Sequence, residues 1–129
     1  MLNLLNRKEK EAFLELAAHI AESDKGLNPQ ERQMLMDFQK DMGIEDYKIK
    51  SLGFDEILES LDDCSFVGKT SMLLNLLSVT TADEEYSHDE QRHIHTLRKR
   101  WGVTDEQFVA IVHWLKNRNK ILKAEGFKI

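Results

Sequence analysis

The sequence predicts an all-α fold built from two similar helix–loop–helix units. Three observations carry that expectation. Apolar residues recur at the i, i+3, i+4, i+7 spacing of an amphipathic helix through most of the chain. The strict alternation of a half-buried strand is absent. The chain also matches itself without gaps at an offset of 59, so that residues 13–46 fall on 72–105. Leu14, Asp24, Glu31, Lys40, Gly43 and Asp46 meet identical residues at Leu73, Asp83, Glu90, Lys99, Gly102 and Asp105. Similar residues fill the gaps, as in Ile20 with Val79, Leu35 with Ile94, Phe38 with Leu97 and Ile44 with Val103. Apolar, cap and turn positions all keep their places, which a chance match would not require.

In order along the chain, Asn6 precedes Glu9 by three, the spacing of a capping box. Phe13, Leu16, Ala17 and Ile20 then form the apolar stripe of a first helix ending near Ser23. Asp24-Lys25-Gly26 is turn chemistry. Asn28-Pro29-Gln30-Glu31 opens a second helix, with Asn as N-cap, Pro at the first position and Glu at the third. Leu35, Phe38 and Met42 carry its apolar face, and Gly43 stops it. Residues 47–52 read as a helical turn or extended chain, and Phe54, Ile57, Leu58 and Leu61 as a short helix after Gly53. The second unit repeats the plan. A helix covers about 66–81, with Leu73, Leu76, Leu77 and Thr80 on one side, followed by the acidic turn Asp83-Glu84-Glu85. Ser87 and Glu90 have capping-box spacing before a helix with Ile94, Leu97 and Trp101 inward and Gly102 at its end. Thr104 and Gln107 start a last helix, with Phe108, Val112, Leu115 and Leu122 along one side. The expectation is six or seven helices in one domain spanning 1–129, with units at about 6–62 and 65–123 sharing one core.

Composition limits what such a domain does. The chain has 129 residues, 41% hydrophobic and 32% charged, which excludes collagen-like, low-complexity and broadly disordered chains. A single cysteine, Cys64, excludes an intrachain disulfide and a cysteine-based zinc knuckle. No apolar run approaches about 18 residues, and Met1 to Leu5 is too short for a signal-peptide core, so a cytoplasmic protein without a membrane span is expected. Residues 1–97 carry a net charge of −10 and residues 98–129 a net of +5. Nucleic acid is not expected as a partner, because phosphate contacts need clustered Lys and Arg over the binding face. Arg98, Lys99 and Arg100 complement a helix C-terminus, and Lys116, Lys120 and Lys123 share one solvated face.

The stretches HIAESDKGLNPQERQMLMDFQKDMGI and SVTTADEEYSHDEQRHIHTLRKRWGV resemble the TerB-like family, which takes in tellurite-resistance and DjlA-type co-chaperone domains. The resemblance rests on Asp24, Gly26, Leu27, Asn28 and Glu31, and again on Ala82, Asp83, Tyr86, Ser87 and Glu90. The sequence departs from the family at Lys25, which shifts Gly26 by one place, and at Glu84, where the family has Gly. The resemblance implies an all-helical, non-catalytic stress-response module associated with tellurite resistance. It also implies protein partners, including a membrane-associated assembly, and a divalent cation held by acidic residues. The matching positions are Asp24 and Glu31 in the first unit and Asp83 and Glu90 in the second, with Glu84 and Glu85 adding charge to the second loop.

Read from the residues themselves, an Asp and a Glu across one turn suit a hard cation through oxygen ligands. They equally suit a structural role, with Glu31 and Glu90 in capping boxes and Asp24 and Asp83 satisfying their own turns. An EF-hand fails, because its first ligand would be Ile20 or Val79 and its glycine Lys25 or Glu84. His88, His93 and His95 share a ligand-rich stretch. His88 and His95 are about 10.5 Å apart along a helix axis, too far to chelate together. Asp89 with His93 at i, i+4 is the alternative metal pair, and Glu90 with His93 at i, i+3 adds to it. His19 and His113 read as lone structural histidines. No catalytic constellation emerges: Gly68-Lys69-Thr70 lacks the earlier glycine and strand of a phosphate loop, and Asp62 and Asp63 would raise the Cys64 thiol pKa. Two functional expectations remain, an ion- or partner-binding TerB-like module and a purely structural interaction domain whose acidic loops serve only as caps.

Overall fold

The computed structural model describes residues 2–22, 28–80 and 88–124. Among these, six α-helices follow a short 3₁₀ turn at Leu2–Leu4, and no strand occurs. They are α1 (Arg7–Glu22), α2 (Pro29–Met42), α3 (Phe54–Leu61), α4 (Phe66–Thr80), α5 (His88–Trp101) and α6 (Asp105–Ala124). Shifted by 59, α1 and α2 become 66–81 and 88–101, within one residue of α4 and coincident with α5.

Local chemistry sets these boundaries. At the start of α1 the Asn6 backbone N–H donates to Glu9 Oε1 and the Glu9 N–H to Asn6 Oδ1, both at 2.9 Å. Asn28 and Glu31 make the same reciprocal pair before α2, with Pro29 in the first turn. Thr104 and Gln107 repeat it before α6, at 2.8 and 3.1 Å. The Ser87–Glu90 box lies outside the described residues.

Helix ends are matched as well. Gly43 and Gly102 have φ of 70° and 68°, the left-handed region that an L side chain adopts at a cost. The Ile44 N–H donates to the Gln39 carbonyl and the Val103 N–H to the Arg98 carbonyl, each at 2.9 Å, closing a Schellman motif in both units. The residue after each glycine, Ile44 or Val103, is then buried.

The first helix of each unit packs against its second and third: α1 against α2 and α3, α4 against α5 and α6. The units join where α1 meets α4 and α5. This makes α1 the central helix, which goes beyond the one-sided stripe expected from the sequence. Phe13, Leu14, Leu16, Ala17 and Ile20 are all 0% exposed, and Ala12, Glu15, Ala18 and Ala21 are buried with them. From the other helices Leu35, Phe38, Met42, Ile57, Leu58, Leu61, Met72, Leu73, Leu76, Ile94, Leu97, Trp101 and Leu115 complete one continuous core. Neither unit has a separate core.

The units differ in the link between their second and third helices. In the second unit it is the short Gly102–Thr104 turn, whereas in the first it is an irregular strap through residues 47–52. Of the two forms expected for it the strap is not a helical turn, and Ser51 within it has φ 58°. Among the described residues no helix is long and apolar enough to cross a membrane.

Candidate functional site

Of the acidic residues expected to hold a cation, Glu31 lies among the described residues. It is 5% exposed, and its Oε1 accepts from the Asn28 N–H at 3.1 Å while its own N–H donates to Asn28 Oδ1 at 2.8 Å. Its carboxylate therefore serves the α2 N-terminus, the structural role weighed above. Asp24, Asp83, Glu84 and Glu85 lie outside the described residues, and Asp89 and Glu90 stand in α5 with side chains outside them. Among the described residues no three His, Cys, Asp or Glu side chains are grouped to hold a metal ion.

The structure instead draws attention to a face of α1 that the sequence left unremarked. Glu15 is 2% exposed, a carboxylate in the middle of the core helix. A buried charge is costly unless its lone pairs are satisfied, and here the strap satisfies them. Tyr47 Oη donates to Glu15 Oε2 at 2.5 Å, the Lys50 N–H donates to the same oxygen at 2.7 Å, and the Leu52 N–H donates to Oε1 at 3.3 Å. Burial and then Glu15 push the Tyr47 phenol above its ordinary value, so it stays protonated and keeps donating. Gln39 holds the strap from the other side, its Nε2 donating to the Tyr47 carbonyl at 2.8 Å. Sequence reasoning missed Glu15, though an acid set among Phe13, Leu14, Leu16, Ala17 and Ala18 was a signal that could have found it.

Beside this network runs a small cleft of about 40 Å³, with Glu15, His19 and Glu22 on the α1 side and Ile49, Ser51 and Leu52 on the strap side. At its edge, three rings from three helices meet. His19 of α1 stacks on Phe54 of α3, with ring centroids 5.2 Å apart and planes at 21°. His93 of α5 lies 5.2 Å from His19, edge to face, and 4.6 Å from Phe54. His19 is thus not the lone histidine the sequence suggested. His93 is half-buried and turned inward, and burial, with lesser contributions from His19 and Arg92, holds its pKa below the ordinary value. His95 and His113 are exposed.

The remaining sequence candidates take structural places. Arg98 pairs with Asp105 and lies 4.1 Å from the centre of the Phe108 ring. Arg100 makes a two-pronged contact with Asp62 at 2.8 and 2.7 Å, joining α5 to the end of α3. Lys116 is exposed, as expected of a solvated face. Gly68-Lys69-Thr70 sits in the first turn of α4, where the Gly68 N–H donates to Ser65 Oγ at 3.0 Å and Lys69 Nζ to the Asp62 carbonyl at 2.8 Å. Cys64 is 8% exposed with its pKa pushed up to about 11. The direction matches the sequence expectation, but the cause is burial and then a hydrogen bond with Glu9, not Asp62 and Asp63.

Chemically, this arrangement offers the His19 ring on a small cleft and, beside it, a carboxylate held by three donors. Comparison of the chain with protein-family models, characterised proteins and solved structures finds no match.

Proposed function

We propose that the chain is a non-catalytic, TerB-like stress-response module of the cytoplasm. It acts through protein partners, including a membrane-associated assembly, and binds a divalent cation in its acidic inter-helix loops. The observation that carries this reading is the doubled geometry. Two helix pairs offset by 59, with matched glycine stops, support aligning the sequence positions Asp24 and Glu31 with Asp83 and Glu90. The second loop concentrates Asp83, Glu84 and Glu85, whereas Lys25 opposes a cation in the first, so the second is the stronger site. Calorimetry and melting curves with calcium, magnesium or zinc, on the wild type and on Asp83→Asn, test it. Binding that Asp83→Asn weakens is the expected result. No heat and no melting shift at millimolar ion would remove the cation from the reading.

A purely structural interaction domain is the second reading, and one observation favours it: Glu31 Oε1 accepts from the Asn28 N–H in the α2 capping box. A pull-down from the native cell followed by ion titration separates the two. This second reading expects a partner whose binding is indifferent to divalent cations.

A further inference from the structure

We propose that the outward face of α6, from Glu106 to Asn117, docks a second copy of this chain, with the two α6 helices running antiparallel in a symmetric dimer.

The first support is an apolar run that the fold leaves uncovered. Residues 108–115 of α6 are Phe-Val-Ala-Ile-Val-His-Trp-Leu, apolar everywhere except His113. A helix that is apolar on all sides is ordinarily buried on all sides. Here α6 packs chiefly on α4, with Arg98 of α5 over the Phe108 ring. Leu115 is buried, and Phe108, Ile111 and Val112 are partly buried with it against the core. Val109 is 64% and Trp114 49% exposed, and Ala110 and His113 are exposed beside them. Glu106, Val109, Ala110, His113 and Asn117 follow i, i+3, i+4, i+7, i+11, so they form one outward stripe, bordered by Trp114. A contiguous apolar stripe with a polar rim is the form of an interaction surface. The repeated plan does not produce it. The third helix of the first unit, α3, has 8 residues and buries Ile57, Leu58 and Leu61, whereas α6 has 20.

The second support is charge, and it selects the partner. Residues 105–114 contain Asp105 and Glu106 and no Lys or Arg, a net of −2. Residues 115–124 contain Lys116, Arg118, Lys120 and Lys123 and no acid, a net of +4. An antiparallel pair lays the acidic half of each helix along the basic half of the other, and symmetry makes that match twice. It also sets the two helix dipoles in opposition, whereas a parallel pair would set like charge on like. With the crossing centred between Ala110 and His113, Glu106 comes level with Asn117 of the other copy, next to its Lys116. Val109, Ala110, His113 and Trp114 of both copies then fill the middle of the seam. Asp105 is held by Arg98 of its own chain, so Glu106 is the acid that serves the contact.

Sedimentation equilibrium of the full chain without divalent ions, between about 1 and 300 µM, tests the seam in the range where a modest interface associates. The wild type should pass from monomer to dimer. Val109→Asp should weaken the association by at least about tenfold. Met36→Asp, at a position 60% exposed on α2, should leave it unchanged. Glu106→Lys should weaken it, and Glu106→Lys combined with Lys116→Glu should restore it, which only an antiparallel seam explains. All these positions are exposed, and an unchanged melting midpoint at low concentration verifies that each variant folds. A chain that stays monomeric throughout overturns the proposal, and is the result expected if this face serves a different protein. A dimer that Val109→Asp leaves intact, or that the double charge exchange fails to restore, overturns it as well. Asp83→Asn should dimerise like the wild type, so failure of the cation reading and failure of this one are distinguishable.

Discussion

Tyr47 and Glu15 are joined by a 2.5 Å hydrogen bond between the strap of the first unit and the central helix. The bond matters because Glu15 is almost wholly buried and also accepts from two strap amides. Tyr47→Phe removes one donor and leaves the carboxylate with two, so a loss of about 1–2 kcal/mol is expected in urea unfolding. Glu15→Ala strands three donors and opens a cavity, and should cost about 3 kcal/mol or more. The double variant should cost less than the sum, because the second change then removes a group that already lacks its partner. Strict additivity would show that the two side chains are not coupled.

Glu31→Ala removes one half of the Asn28–Glu31 box, and a loss of about 0.5–2 kcal/mol is expected. Glu31→Gln keeps an oxygen acceptor for the Asn28 N–H and should recover most of it. Thermal or urea melts of both variants check the cap. An unchanged midpoint in Glu31→Ala would return that carboxylate to the pool of cation ligands.

These two cases mark what the sequence disclosed and what it did not. The cap at Asn28 was legible because donor and acceptor lie three residues apart, so spacing alone specifies it. The matched stops at Gly43 and Gly102 were legible for the same reason. The Glu15 network was not, because its donors lie 32 to 37 residues away on a segment without periodicity. The partnership of His19 with His93 depends on how α1 crosses α5, which no local pattern encodes. The apolar stripe of α1 was seen, but its burial on nearly every side follows from having neighbours in both units.

Cys64 should be a poor nucleophile in the native protein. Burial and the Glu9 contact push its pKa up to about 11, so the thiolate is a minor species at pH 8. Reaction with a disulfide reagent at that pH should be slow when folded and should accelerate by at least about tenfold in strong denaturant, where the thiol returns toward its ordinary pKa of about 8.5. Equal rates in the two conditions would contradict both the burial and the raised pKa.

Three glycines separate backbone strain from steric exclusion. At Gly43 and Gly102 an added Cβ would meet nothing within 4 Å, yet φ is 70° and 68°. Alanine there should cost about 1–2 kcal/mol through the left-handed backbone alone, with Asn recovering part of the loss. The two sites should respond alike, because they close the same motif in the two units. Gly68 is the reverse case. It lies within α4, where alanine is otherwise favoured by about 1 kcal/mol, but its Cβ would stand 2.6 Å from Cys64 Sγ and 3.3 Å from Leu5 Cδ2. Gly68→Ala must therefore displace the thiol and the N-terminal turn, and a net destabilisation is expected despite the gain in helix propensity. Pairing it with Cys64→Ala, which removes the clashing sulfur, should restore part of the lost stability. Urea unfolding of the single and double variants decides it. A stabilising Gly68→Ala would show that the α4 entry has room which the close Cys64 approach denies.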